Sequence, residues 1–141
     1  MPENLTSVLF RHPSAGVRRK ELRAFLKEVA ARILPGQSVS SLITSDEEIR
    51  ELNRRFRGKD YPTDVLSFPP EDIAISFPRA KSQAAELGHG VETELRILML
   101  HGLLHLAGMD HETDSGEMYR AEASWRKRLG LPAGLIERAT A

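Results

Sequence analysis

Three histidines within eleven residues are the side chains of this chain best suited to chemistry. They belong to the segment His101-Gly-Leu-Leu-His105-Leu-Ala-Gly-Met-Asp-His111. Because residues four apart on a helix share one face, the first two imidazoles leave the same side. Gly108 can then end the helix in a left-handed turn that brings His111 back towards them. Three imidazoles leave one corner of a tetrahedral site open, as in catalytic zinc sites, so the segment predicts one bound Zn²⁺ ion. The same ligands would also accept Ni²⁺, Co²⁺ or Fe²⁺.

The spacing of these histidines matches the H-E-x-x-H-x-x-G-x-x-H pattern of metzincin proteases at every position but one. Where those enzymes carry the glutamate that acts as general base, this chain has Gly102. The pattern therefore favours a metal site that does not cleave peptides. A metallopeptidase with a substitute base stays an alternative.

The formal net charge of zero hides an uneven distribution. The first 59 residues carry 12 basic and 7 acidic side chains, and the remainder carry 8 and 13. The excess is greatest from Arg50 to Lys59, where five basic side chains accompany only Glu51. Such a patch can hold phosphate groups by Coulomb attraction. The alternative is a solvated helix end whose positive charge complements the helix dipole.

Composition limits the class of protein. A chain of 141 residues fits one compact domain, which we take to span residues 1–141. It has no cysteine, which excludes disulfides and thiolate metal ligands. No early segment has a signal-peptide pattern, and no apolar run reaches the ~20 residues of a membrane span. We therefore expect a cytoplasmic protein without a membrane partner.

Hydrophobic periodicity predicts alternating strands and helices in the first half of the chain. Ser45, with Glu48 three residues later, predicts a helix N-cap, and Gly58 predicts the end of that helix. The inward residues of this helix are predicted to be Ile49, Leu52 and Phe56. The other elements predicted here are strands at Leu5–Phe10, Val39–Thr44, Thr63–Phe68 and Asp72–Ser76, and a helix at Val17–Ile33.

The second half reads as helical, with helices at Arg79–Leu87 and Glu92–Ala107 and a last helix that Ser115 caps. The helix from Glu92 is the longest and most apolar, which predicts that it lies in the middle of the fold. It carries the first two of the clustered histidines. The chain's other histidines, His12 and His89, have no comparable neighbours and are expected at the surface.

Two stretches resemble the YbeY-type endoribonucleases, a bacterial family also called rRNA maturation factors. The first, from Glu51 to Pro70, contains Arg57-Gly-Lys-Asp-Tyr-Pro-Thr-Asp-Val-Leu-Ser-Phe-Pro, similar to the family's R-G-x-D-x-P-T-D/N-V-L-S-F-P block. The second, from His101 to His111, is similar to its H-G-x-L-H-L-x-G-x-D-H block. The resemblance extends from about Ser38 to Leu131, and each block is specific.

The resemblance implies that His101, His105 and His111 bind zinc and that Arg57 is the functional arginine near the metal. It implies an α+β fold, in which helices cover a small mixed β-sheet and a central apolar helix carries the histidines. It also implies cleavage of single-stranded RNA in ribosomal RNA maturation, including the 3′ end of 16S rRNA, and in ribosome quality control. Ribosomes or ribosomal proteins are then candidate partners, and nothing indicates specificity for DNA.

A phosphodiester substrate suits the charges of this site. Zinc on neutral imidazoles keeps its double positive charge, and a guanidinium offers two parallel donors to phosphate oxygens. We therefore assign Arg57 to stabilising the charge of the transition state. The alternative for Arg57 is a structural salt bridge to Asp60 or Asp64. The basic residues assigned to positioning the RNA strand are Arg54, Arg55 and Lys59.

No general base is evident, because Gly102 cannot serve. The sequence leaves open whether the zinc alone activates the nucleophile or whether Asp110, a glutamate elsewhere or the RNA 2′-hydroxyl takes part. Asp110 and Asp114 are candidates to orient an imidazole by a hydrogen bond. A further alternative is a non-catalytic ribosome-assembly factor, which would use its basic face for RNA and the zinc for stability.

Overall fold

The computed structural model describes residues 4–140, which form four strands and six helices. The strands are β1 (Ser7–Phe10), β2 (Ser40–Thr44), β3 (Val65–Phe68) and β4 (Asp72–Ser76). The helices are α1 (Arg19–Ile33), α2 (Asp46–Arg57), α3 (Phe77–Leu87), α4 (Val91–Leu106), α5 (Glu117–Leu129) and α6 (Leu135–Thr140). The predicted elements are all present, with starting points within about two residues of the prediction. Helix α6 was not predicted, because six residues carry too little periodicity to stand out.

The strands form one mixed sheet in the order β1-β2-β4-β3. β1, β2 and β4 are parallel, and β3 is antiparallel to β4. Helix α1 makes the crossover that the parallel neighbours β1 and β2 require, whereas a short turn suffices between β3 and β4. The register places Ser41, Ile73 and Ser67 in one row across the three strands β2, β4 and β3.

Helices cover both faces of this sheet. On one face, α1 and α4 pack against side chains that include Val8, Ile43 and Ile75. On the other face, Ile49 of α2 packs against Leu66 of β3 and the neighbouring strand β4. Twelve of the 16 residues of α4 are buried, so this helix does lie in the middle of the fold. The predicted α+β fold with a central apolar helix that carries the histidines is confirmed.

Two local predictions about helix residues are wrong. Phe56 was expected to face inward, but it is 63% exposed, because the apolar cluster under α2 is filled by residues one and two turns earlier. Ser115 does not cap the last helix: α5 begins at Glu117, and the carboxylate of Asp114 accepts from the backbone N–H groups of Gly116 and Met118.

The two remaining histidines are not simply at the surface. The ring of His12 stacks on Phe77 with a centroid distance of 5.0 Å. His89 is half-buried, and its Nε2 lies 2.7 Å from Oε1 of Glu94, a fully buried carboxylate that Arg138 of α6 also contacts. Both rings therefore stabilise connections around the ends of α3.

Candidate metal centre

The tertiary structure brings the three predicted ligands together. The candidate ligand nitrogens of His101, His105 and His111 all lie within 4.8 Å of one another. The Nε2 atoms of the first two are 3.1 Å apart, as expected for residues one helical turn apart on α4. Three neutral imidazoles are a donor set that zinc and similar divalent ions accept, so these residues fit a single ion of that class.

The turn after α4 delivers the third histidine. Gly108 has a φ of +93°, in the left-handed region that favours glycine, and its N–H donates to the carbonyl of His105. The next N–H, of Met109, donates back to Leu104. The chain thereby reverses directly after α4, so that the exposed His111 ring lies 5.5 Å from that of His101. The role predicted for Gly108 is confirmed.

Hydrogen bonds on the far side of each helical imidazole fix its orientation. Nδ1 of His101 lies 2.8 Å from Oε2 of Glu122, a carboxylate on α5 that is 1% exposed. Nδ1 of His105 lies 2.9 Å from the backbone carbonyl of Met109. Both contacts leave Nε2 as the nitrogen available to a metal, which is how buried partners commonly prepare histidine ligands.

Glu122 is the functional residue that sequence reasoning missed. Asp110 and Asp114 were the residues predicted to orient an imidazole by a hydrogen bond. In the structure, Asp110 accepts from the backbone N–H of Glu112, and Asp114 caps α5. One signal was present: Glu122 lies four residues after Met118 and three before Trp125, on the apolar stripe of its helix. An acidic residue on such a stripe requires a buried partner.

The pKa of His105 is held below its ordinary value. Burial is the main cause, because it penalises the charged imidazolium, and the neighbouring imidazoles of His101 and His111 act in the same direction. The carbonyl of Met109 and the carboxylate of Asp110 oppose this shift without reversing it. His105 is therefore neutral near pH 7, and a neutral imidazole is the form that binds a metal.

Gly102, the residue that replaces the metzincin glutamate, has a packing role. A Cβ atom at this position would lie 3.0 Å from both Cδ1 and Cγ2 of Ile73 on β4. The missing side chain lets α4 approach the sheet closely enough for the hydroxyl of Ser67 to donate to the Gly102 carbonyl at 3.2 Å. Position 102 therefore faces the packed sheet, and a glutamate there would have no space.

A cleft of about 1040 Å³ opens beside the histidines. Its lining includes His101 and His105 and, from the end of α2, Arg57. The exposed carboxylates of Asp110 and Glu112 line it as well. Arg57 and the histidines, which lie more than 40 residues apart in the sequence, thus line the same cleft.

Arg57 is held at this cleft by the end of its helix. Gly58 adopts a left-handed conformation with φ of +67°, and its N–H donates to the carbonyl of Arg54. The buried Asn53, one turn before Arg57, donates to the carbonyl of Tyr61 and so fixes the chain that follows. Asn53 was also missed by sequence reasoning, although it too lies on the inward stripe of its helix.

The salt bridge considered for Arg57 is not formed. Asp60 pairs instead with Arg50, at 2.9 Å, and Asp64 accepts from Gln83. Within residues 4–140, Arg57 makes no ion pair. Its exposed guanidinium is therefore available to a ligand in the cleft.

The other predicted RNA contacts lie outside the lining of the cleft. The guanidinium of Arg54 pairs with Glu51, and that of Arg55 lies over the ring of Phe56, 5.5 Å from its centroid. Lys59 is exposed just beyond α2. Their role in positioning RNA stays a prediction.

The sequence model of the family described as endoribonuclease YbeY matches residues 11–130. The chain belongs to the YbeY family. A relative from Solibacter usitatus, named endoribonuclease YbeY, is 51% identical in an alignment of 138 positions that covers 94% of each chain. A relative of the same name from Koribacter versatilis is 49% identical and is covered over 91% of its length.

The fold agrees with a solved structure of comparable size. The solution structure of a Thermotoga maritima protein matches with a TM-score of 0.59 and 29% identity, over 86% of this chain and 93% of the other. Among residues 4–140, no helix is both long and apolar enough to cross a membrane. The YbeY relatives are named as endoribonucleases, which supports a nuclease that hydrolyses RNA.

Proposed function

We propose that this protein is a zinc-dependent endoribonuclease specific for single-stranded RNA. Its substrate would be ribosomal RNA, in maturation of the 16S 3′ end and in ribosome quality control. The observation that carries the proposal is the unpaired guanidinium of Arg57 in the same cleft as His101 and His105. A cation that forms no ion pair with residues 4–140, next to a set of metal ligands, suits an anionic substrate.

The proposed ligands are His101, His105 and His111, with Glu122 orienting the first. A bound Zn²⁺ would polarise a phosphoryl oxygen and favour deprotonation of an attacking water. Arg57 would donate two parallel hydrogen bonds to the other phosphoryl oxygens, whose negative charge grows in the transition state. Since a guanidinium keeps its proton at every physiological pH, this contribution does not depend on titration of the arginine.

The packing at Gly102 supports RNA over peptide as the substrate. A metallopeptidase of the metzincin type needs a carboxylate at that position, and Ile73 fills the space where its side chain would begin. The carboxylates that do line the cleft, Asp72, Asp110 and Glu112, are the candidates for accepting a proton. Arg57 moreover has little use in hydrolysis of a neutral amide bond.

Replacing Arg57 by alanine tests the proposal. We expect zinc content and melting temperature to stay near wild type, because the side chain is exposed, while metal-dependent cleavage of single-stranded rRNA falls about 100- to 1000-fold. The matched control is Arg32→Ala, which removes another exposed arginine from the last turn of a helix, α1. It should leave cleavage unchanged.

Two outcomes would contradict the assignment. If Arg57→Ala weakens RNA binding but purified wild-type protein cuts no RNA with zinc bound, the protein is an assembly factor and not a nuclease. If wild-type protein cleaves RNA and the variant cleaves it equally well, Arg57 does not act in the reaction.

A further inference from the structure

Two aromatic rings lie beside the candidate metal centre. Phe56 belongs to the last turn of α2, directly before Arg57, and Phe68 ends β3. Their ring centroids are 5.7 Å apart with an interplanar angle of 66°, an edge-to-face arrangement. Both rings line the cleft that also contains His101 and His105.

The exposure of Phe56 is not explained by the core. The apolar cluster on this face of the sheet is already formed by Ile49, Leu66 and Ala74, with Leu52 and Phe68 packed against it. The Phe56 ring contacts that of Phe68, at the margin of the cluster, and leaves 63% of its surface exposed. A lone exposed ring is ordinary, but this one lies in a cleft beside metal ligands.

The charges around the ring indicate which ligand it suits. The guanidinium of Arg55 lies over the Phe56 ring at 5.5 Å, and Arg57 lines the same cleft. Arg11 lines it as well, but its guanidinium pairs with Glu48 at 2.7 Å. Sites for single-stranded nucleic acid combine these features: positive charges follow the phosphates, and aromatic rings stack with the bases. An apolar protein partner would gain nothing from the guanidinium groups of Arg55 and Arg57.

We infer that Phe56 is a stacking platform for an unpaired nucleobase next to the phosphate at the metal centre, and that Phe68 braces its edge. The inference rests on the proposed endoribonuclease function and deepens it, because it gives a physical cause for single-strand specificity. A base within a duplex is stacked and paired, so its face is closed to a protein ring. Any of the four bases has a π-face, so this contact selects strandedness and not sequence.

A double-mutant cycle, in which the Phe56 ring and the nucleobase are removed separately and together, tests the inference. The substrate is a short single-stranded oligoribonucleotide whose cut position has been mapped with wild-type enzyme, together with versions that lack one base on either side of the cut. For wild type, loss of the stacked base should lower kcat/KM about 10-fold. Phe56→Ala should lower kcat/KM about 10-fold on the intact oligonucleotide and cause no further loss on the abasic one.

Conservative variants distinguish stacking from apolar contact. Phe56→Tyr should retain wild-type kcat/KM, whereas Phe56→Leu should behave like Phe56→Ala, because it keeps apolar volume and loses the ring. Tyr119→Ala is the control, since Tyr119 is another exposed aromatic residue, on α5, outside the lining of the cleft. Melting temperatures should stay near wild type for all of these variants.

The failure of this inference can be told from the failure of the proposed function. If wild-type protein cleaves no RNA, the proposed function is wrong. If wild type cleaves RNA and Phe56→Ala matches it, or if the variant loses the same factor on intact and abasic RNA, the stacking platform alone is refuted. Equal activity of Phe56→Leu and wild type would refute it as well.

Discussion

Replacing Glu122 by glutamine should weaken metal binding although the residue is not itself a ligand. Both oxygens of this buried carboxylate are used: Oε2 lies 2.8 Å from Nδ1 of His101, and Oε1 accepts from the backbone N–H of Ile136 at 2.9 Å. A Cβ atom at Gly134 would collide with this carboxylate, so the Glu122 side chain lies directly against the backbone of Gly134. Glutamine is nearly isosteric but offers one acceptor in place of two.

The size of the expected loss in zinc affinity follows from this loss of an acceptor. If the amide oxygen accepts from Ile136, the amide NH₂ faces Nδ1 of His101, which must then be the unprotonated nitrogen. The imidazole proton moves to Nε2, the atom that faces His105, and that nitrogen can no longer bind a metal. To bind zinc, the variant must return the proton to Nδ1, which leaves a buried polar group unpaired and costs about 1–3 kcal/mol. We therefore expect the Kd for zinc to rise about 10- to 100-fold.

The assay is competition for zinc between the metal-free protein and a chromophoric chelator, with thermal unfolding measured on the same samples. The matched control is Glu94→Gln, because Glu94 is also fully buried and bonded to α6, through Arg138, but contacts none of the three candidate ligands. Both variants should lower the melting temperature by about 3–6 °C. Only Glu122→Gln should change the zinc Kd. If the zinc Kd of Glu122→Gln equals that of the wild type, the tautomer argument is refuted.

Two further predictions concern packing and pH. Gly102→Ala should lower the free energy of unfolding by about 1–2 kcal/mol in urea titrations, because its Cβ would press on Ile73. This loss outweighs the better helix propensity of alanine, so an increase in stability would refute the close approach. Hydrogen bonding to Arg18, helped by Arg96, holds the pKa of Glu92 below its ordinary value of 4.5. The Glu92–Arg18 pair therefore stabilises the fold fully above pH 4.5, and its contribution is lost progressively as the pH falls through the lower pKa of the folded protein. Glu92→Gln should therefore lower the free energy of unfolding by about 1 kcal/mol at pH 7 and by progressively less as the pH falls below 4.5. A loss that does not shrink in acid would refute the assignment.

The helices and strands could be predicted because local pattern decides them. The capping pair Ser45 and Glu48 predicted the start of α2, and the side chain of Ser45 does accept from the N–H of Glu48. The ligand cluster was predictable for the same reason: helical spacing aligns His101 with His105, and a left-handed glycine turns the chain back. Each of these features involves residues no more than ten positions apart in the sequence.

Features that depend on distant partners could not be predicted in this way. The helical period correctly places Phe56 on the same stripe as Ile49, but whether a ring at the end of a stripe is covered depends on what the strands put opposite it. Similarly, Asp114 and Glu122 are both plausible partners for an imidazole, and only the packing of α5 on α4 decides that Glu122 contacts His101. Gly102 looked like a missing base, and the approach of β4 shows it to be a packing requirement.

The resemblance to the YbeY family implied the α+β class, and the sequence pattern by itself determined the central helix, the three candidate ligands and the basic end of α2. The last three features follow from periodicity, capping and residue type, which act over one or two turns of chain. Only the tertiary structure decided that Arg57 lines the same cleft as the histidines, that its guanidinium is unpaired and that a ring is exposed beside it. The physical reason is that contacts between elements distant in the sequence, here α2, α4 and the sheet, decide which side chains are buried and which are paired.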